Sequence, residues 1–120
     1  MNGWLFIAAI NGFLSVAAGA FAVHGLQDRL DTHALSIFET GARYQMYHAL
    51  AIGLAALAPR NFPSRLACVL FLAGIILFSG SLYLFALTSA RMWGLVTPIG
   101  GLAFFAGWIA LAWAAARKRK

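Results

Sequence analysis

Long apolar stretches alternate with short polar ones along this chain. No Asp, Glu, Lys or Arg occurs between Asn2 and Asp28, from Leu66 to Ala90, or from Met92 to Ala116. At about 1.5 Å per residue, each stretch is long enough for a helix to cross a hydrocarbon core of roughly 30 Å. A fourth uncharged stretch, Tyr44 to Pro59, falls just under the usual length, so its helix is expected to begin earlier, near Phe38 to Arg43. The apolar runs are continuous rather than alternating, and lipid leaves no backbone group a partner outside the segment. The pattern therefore predicts helices and excludes a β-barrel. The expected architecture is all-α: a single integral membrane four-helix bundle with helices at about residues 3–24, 39–58, 65–88 and 94–116.

Between the first two helices, "HGLQDRLDTHALSIFETG" is too polar to span. Leu26, Leu30, Ala34 and Ile37 share one face at helical period, which predicts a short amphipathic segment on the membrane surface, with Asp31 or Thr32 as its cap. Gly41 either ends that segment or permits close packing. Thr97 followed by Pro98 is read as the cap and first turn of the fourth helix. The first apolar run lacks a basic leader and is longer than a typical signal-peptide core, so it is expected to be retained as a helix.

Composition agrees with this threading: 62% of residues are hydrophobic and 10% are charged. Charge then orients it. Arg60, Arg65 and the tail Arg117, Lys118, Arg119 and Lys120 fall on one side. Arg29, Arg43 and Arg91 fall on the other, offset by Asp28, Asp31 and Glu39. The positive-inside rule places both termini in the cytoplasm, an N-in/C-in topology in the bacterial inner membrane. The net charge of +6 does not imply nucleic acid, because the only basic run directly follows a membrane helix, where anionic headgroups explain it. The single Cys68 has no partner for a disulfide. No residue set is spaced for metal ligation or catalysis, so no metal, no cofactor and no enzymatic activity are expected.

The candidate chemistry is polar and asymmetric. On a 100° step, Thr40, Tyr44, Tyr47, His48, Ala51 and Ala55 share the side of the second helix expected to face the bundle, with Met46, Leu50, Leu54 and Leu57 toward lipid. Glu39 and Arg43 are spaced for a local ion pair. The threading brings His24, Tyr44, Gln45, His48, Ser79, Ser81, Tyr83 and Thr97 to the outer half of the membrane, as a polar cluster and candidate ligand-binding site. Hydrogen bonding between helices accounts for such groups without any ligand. Beside it stand three functional readings: a site for a lipid or other small amphiphile, a proton-coupled transporter using His48, and an accessory subunit of a larger membrane complex. Stripes of small residues (Ala8, Gly12, Ser15, Gly19 and Ala22; Ala103, Gly107 and Ala110; Ala73 and Gly80) predict close helix packing within the chain or in a homo-oligomer. Membrane lipids are the expected partners.

Four blocks carry a family resemblance: "GAFAVHGL" (19–26), "FETGARYQMYHAL" (38–50), "LFSGSLYLFALT" (77–88) and "TPIGGLAFFAGW" (97–108). Together they resemble the YgdD-like family of small bacterial inner-membrane proteins, a domain-of-unknown-function family with animal relatives. The resemblance implies a four-helix integral membrane protein and no particular reaction.

Overall fold

The computed structural model describes residues 2–117, so Lys118, Arg119 and Lys120 of the basic tail lie outside the described residues. The described chain is helical throughout, in rods joined by short turns: α1 (Gly3–Leu26), α2 (Thr32–Leu57), α3 (Phe62–Thr88) and α4 (Arg91–Ala116). Of these, α1, α3 and α4 are long and apolar enough to cross a membrane. Their outer surface is apolar to a degree that water does not tolerate: Phe13 is 69% exposed, Leu95 77%, Phe105 71% and Ile109 70%. Successive helices run antiparallel and pack in chain order, α1 along α2, α2 along α3 and α3 along α4.

Each start has a local cause. The Asn2 side chain accepts from Leu5 N–H to open α1 (3.0 Å), and Asp31 accepts from Ala34 N–H to open α2 (2.7 Å). Asn61 and Ser64 form a reciprocal capping box at α3, with Pro63 in the first turn, where its missing N–H costs nothing. The two asparagines have a second task. Asn2 Nδ2 donates to the Ala56 carbonyl at the end of α2, and Asn61 Nδ2 to the Ala114 carbonyl near the end of α4. Each amide thus caps its own helix and satisfies a terminal carbonyl of a neighbour.

Two expectations change, and the choice left open at Gly41 is settled. The amphipathic stretch is not a separate surface segment: capped by Asp31, its second half forms the first turns of α2, which therefore begins at Thr32 rather than near residue 39. Gly41 does not end a helix. It lies within α2 where a Cβ would stand 3.0 Å from the Tyr83 ring and 3.2 Å from the Ser79 carbonyl, so its role is close packing. Thr97 does not cap α4, which starts at Arg91 and carries Pro98 inside; Thr97 Oγ1 instead donates to the Trp93 carbonyl (3.2 Å). The turn before α4 is only Ser89 and Ala90, with Ser89 in the left-handed region (φ 60°), so the helix must restart at once.

The core has two parts. Ala8, Ala51, Ile52, Ala67, Cys68, Phe71 and Phe104 belong to one, toward the end carrying the termini, while Ala22, Leu26, Phe38 and Ala86 form the other. Close approach is set by glycine on α3 and α4. A Cβ at Gly100 would lie 2.3 Å from the Phe78 nitrogen, one at Gly74 2.3 Å from the Phe104 ring, and one at Gly107 2.7 Å from the Phe71 ring. Gly74 rather than Ala73 or Gly80 marks the groove on α3. Along α1 the buried stripe is Ala8, Asn11, Ser15 and Ala22, whereas Cβ atoms at Gly12 and Gly19 would meet nothing within 4 Å.

Candidate functional site

The side of α2 that faces the protein is Phe38, Gly41, Ala42, Gln45, His48, Ala49, Ala51, Ile52 and Ala55, a stripe at helical spacing that includes the expected His48, Ala51 and Ala55. Tyr44 and Tyr47 are exposed and not inside, which corrects the face expected from the sequence; Leu50, Leu54 and Leu57 point outward as expected. The shift of the inward arc toward Gln45 follows from contacts on two sides, because α2 packs against both α1 and α3.

The polar residues expected to form one cluster do not meet as one. They sort into separate contacts. The first is a chain across three helices: Tyr83 O–H donates to Gln45 Oε1 (2.7 Å), Gln45 Nε2 to Asn11 Oδ1 (3.1 Å), and Asn11 Nδ2 to the Ile7 carbonyl (3.0 Å). A carbonyl only accepts, so its position at the end of the chain fixes the direction of every donor behind it. Ser15 Oγ adds a bond to the Ala42 carbonyl (2.6 Å), a further tie between α1 and α2. Ser81 and Thr97 hydroxyls meet at 2.6 Å and join α3 to α4. Ser79 is fully buried, yet its hydroxyl has no hydrogen-bond partner among the described residues. It ends a π-type turn, Ile75–Ser79, after which Gly80 N–H reaches the Ile75 carbonyl five residues back. His24 lies exposed in a second such turn at the end of α1, away from these contacts. Arg43 donates to Thr40 Oγ1 (3.2 Å) instead of forming the expected pair with Glu39.

His48 has the most specific surroundings. Its Nδ1 bonds the Tyr44 carbonyl (2.8 Å), and its Nε2 faces the Trp108 indole N–H (3.1 Å). A carbonyl cannot donate and an indole cannot accept, so both bonds form together only with the neutral ring protonated on Nδ1. The imidazole stacks on Phe104 with ring centroids 3.5 Å apart and planes 5° from parallel. Phe71 stands edge-on to Trp108 at 5.0 Å, completing the aromatic floor.

Above that floor, between α2 and α4, opens a cleft of about 530 Å³. Tyr44, Tyr47, Phe78, Phe105 and Trp108 wall it, and Gly101 leaves its α4 side open. A cleft of this kind, apolar with a few polar edges, is what small-molecule sites share. Of the residues singled out from the sequence, Tyr44 and His48 line it; Gln45, Tyr83, Ser81 and Thr97 serve contacts between helices. Sequence reasoning missed Phe104, Trp108 and Gly101 as site residues, although the block 97–108 that carries the family resemblance contains all three. No group of His, Cys, Asp and Glu residues able to hold a metal ion occurs among the described residues.

Comparison with known proteins agrees with the resemblance in the four blocks. Residues 18–101 match the model of the family described as "Protein of unknown function (DUF423)". A UPF0382 membrane protein of Haemophilus influenzae is 47% identical over 115 residues, covering 93% of this chain and 92% of that protein. The UPF0382 inner membrane protein YgdD of Escherichia coli is 43% identical over 120 residues (97% and 92%), and the UPF0382 membrane protein YwdK of Bacillus subtilis is 38% identical over 121 residues (98% of each). No solved structure matches. With a family model spanning most of its helices and relatives matched almost end to end, this chain belongs to the DUF423, or UPF0382, family of membrane proteins.

Proposed function

We propose that this protein is a non-enzymatic, four-pass component of the bacterial inner membrane, with both termini in the cytoplasm, whose aromatic cleft receives a flat, largely apolar amphiphile of the quinone-like class. The observation that carries the reading is the cleft itself: about 530 Å³, walled by aromatic rings and set between two helices whose outer faces are apolar. Rings on the walls favour a planar ligand, which gains offset or edge-on contacts beyond simple burial. Tyr44 and Tyr47, which line the cleft, carry hydroxyl groups of the type that donate to a ligand carbonyl. A crossing by α2 is supported by its 26-residue length, its position between α1 and α3, and its outward Leu50, Leu54 and Leu57. The basic Arg60, Arg65 and Arg117 at the end bearing the termini support the cytoplasmic orientation, as does the inner-membrane name of the Escherichia coli relative.

The proton-carrier reading of His48 is weaker. Both ring nitrogens are already engaged, and the acids Asp28, Asp31 and Glu39 lie toward the opposite end of α2 from its apolar half. The test is a titration of the protein in lipid nanodiscs with a short-chain quinone, followed by tryptophan fluorescence. Saturable quenching that is lost in both Trp108→Phe and Gly101→Leu supports the cleft. Quenching unchanged in Gly101→Leu, whose new side chain would fill the space, refutes it.

A further inference from the structure

A second cleft, independent of the aromatic one, lies at the end of the molecule that bears the termini. It encloses about 400 Å³ between the start of α1 and the start of α3, with Ala55 and Ala56 of α2 as its floor and Arg60 and Arg65 on its rim. Three observations give it a preference for anions. Asn2 Nδ2 already occupies the Ala56 carbonyl, removing an acceptor from the wall. Gly3 and Trp4, which line the cleft, are the first residues of α1, and their N–H groups have no partner within the helix. Among the described residues no acidic side chain lies nearby to balance the arginines. The acids are Asp28, Asp31 and Glu39, toward the other end of α2, and that helix is 26 residues, or about 39 Å, long. Fields between exposed charges are largely screened beyond about 8 Å at physiological salt, so these three acids do not neutralise the arginines.

Guanidinium groups match phosphate oxygens in a planar, two-point geometry. Beyond them the cleft wall turns apolar at Trp4 and Ile7. A cationic rim over an apolar wall, at the mouth of apolar helices, is complementary to a headgroup phosphate with its acyl chains below. We propose that the Arg60–Arg65 cleft binds the phosphate of an anionic phospholipid from the leaflet facing the termini.

The test uses the full chain in bilayers of mixed phosphatidylglycerol and phosphatidylcholine, extracted into detergent, with retained lipids counted by native mass spectrometry. The protein is expected to retain phosphatidylglycerol selectively, and R60Q/R65Q to lower that selectivity by about fivefold per arginine. Both side chains are exposed, so helical content measured by circular dichroism stays constant. The double variant R29Q/R91Q removes the same net charge at the opposite end and is expected to keep the selectivity. Equal loss in the two double variants, or equal retention of both lipids by the unaltered protein, would overturn the site. Displacement of the lipid by millimolar inorganic phosphate would overturn the lipid assignment in favour of a free anion.

Discussion

The indole N–H of Trp108 on α4 donates to Nε2 of His48 on α2 across 3.1 Å, while His48 Nδ1 is held by the carbonyl of Tyr44 in its own helix. The bond fixes which proton the imidazole carries. A ¹⁵N spectrum of the protein in micelles should therefore report a neutral ring protonated on Nδ1. Trp108→Phe removes the donor and leaves Nε2 facing an apolar ring, at an expected cost of about 1 kcal/mol, with the tautomer losing its definition. Mixed tautomers in the unaltered protein would mean that the contact does not persist in the membrane.

The Tyr83–Gln45–Asn11 chain ties α3 to α2 and α2 to α1. Tyr83→Phe deletes only a hydroxyl, but it strands the Gln45 oxygen at the head of the chain. A loss of about 1 kcal/mol is expected. In a double-mutant cycle with Gln45→Leu the two losses should not add, because both remove the same bond. Additive losses measured by denaturation in mixed micelles would place the two groups apart.

Ser79 makes the opposite case. Its buried hydroxyl has no partner among the described residues, so Ser79→Ala should leave stability unchanged or raise it by up to about 1 kcal/mol. A clear loss of thermal stability in the alanine variant would reveal that the hydroxyl is engaged.

At Gly100 the obstacle to a side chain is backbone: the Phe78 nitrogen at 2.3 Å and its Cα at 2.7 Å from an added Cβ. Main chain cannot swing aside as a ring can. Gly100→Ala is expected to push α3 and α4 apart and to cost about 1–3 kcal/mol. Gly12→Ala meets nothing within 4 Å and should be neutral or slightly stabilising in a helix. Comparable melting temperatures for the two variants would contradict the close crossing.

Asn2 and Asn61 allow two functions of one side chain to be separated. Aspartate at either position keeps the capping oxygen but replaces the amide donor to Ala56 or Ala114 with a second acceptor. Asn2→Asp and Asn61→Asp should each lose about 1 kcal/mol of stability while far-UV circular dichroism stays the same. Full stability in both would show that the links between helices contribute nothing.

Much of this molecule is written in runs of apolar residues. Three long uncharged stretches specify helices that only lipid can surround, because a backbone without water must bond to itself, and charged residues mark where those stretches end. Asn61 and Pro63 at the start of α3, together with Asp31, also carry their meaning locally, since a cap involves residues three apart. By contrast, the 100° projection misassigned Tyr44 and Tyr47, because a helix packed on two neighbours buries an arc centred by both, and one sequence names neither. Pro98 misled for a related reason: proline is tolerated in the second turn of α4 when packing against α3 compensates, whereas local rules favour the first turn.

By itself, then, the sequence determined the helical class, the membrane setting, the antiparallel path and the polar residue types within the helices. Only the tertiary structure decided which of them meet: Asn11 with Gln45, Ser81 with Thr97, His48 with Trp108. The periodicity of one helix says which residues share a side, but partnership across helices depends on rotation and depth relative to a neighbour. Those are set by glycine contacts such as Gly100 against Phe78, which arise between segments far apart in the chain.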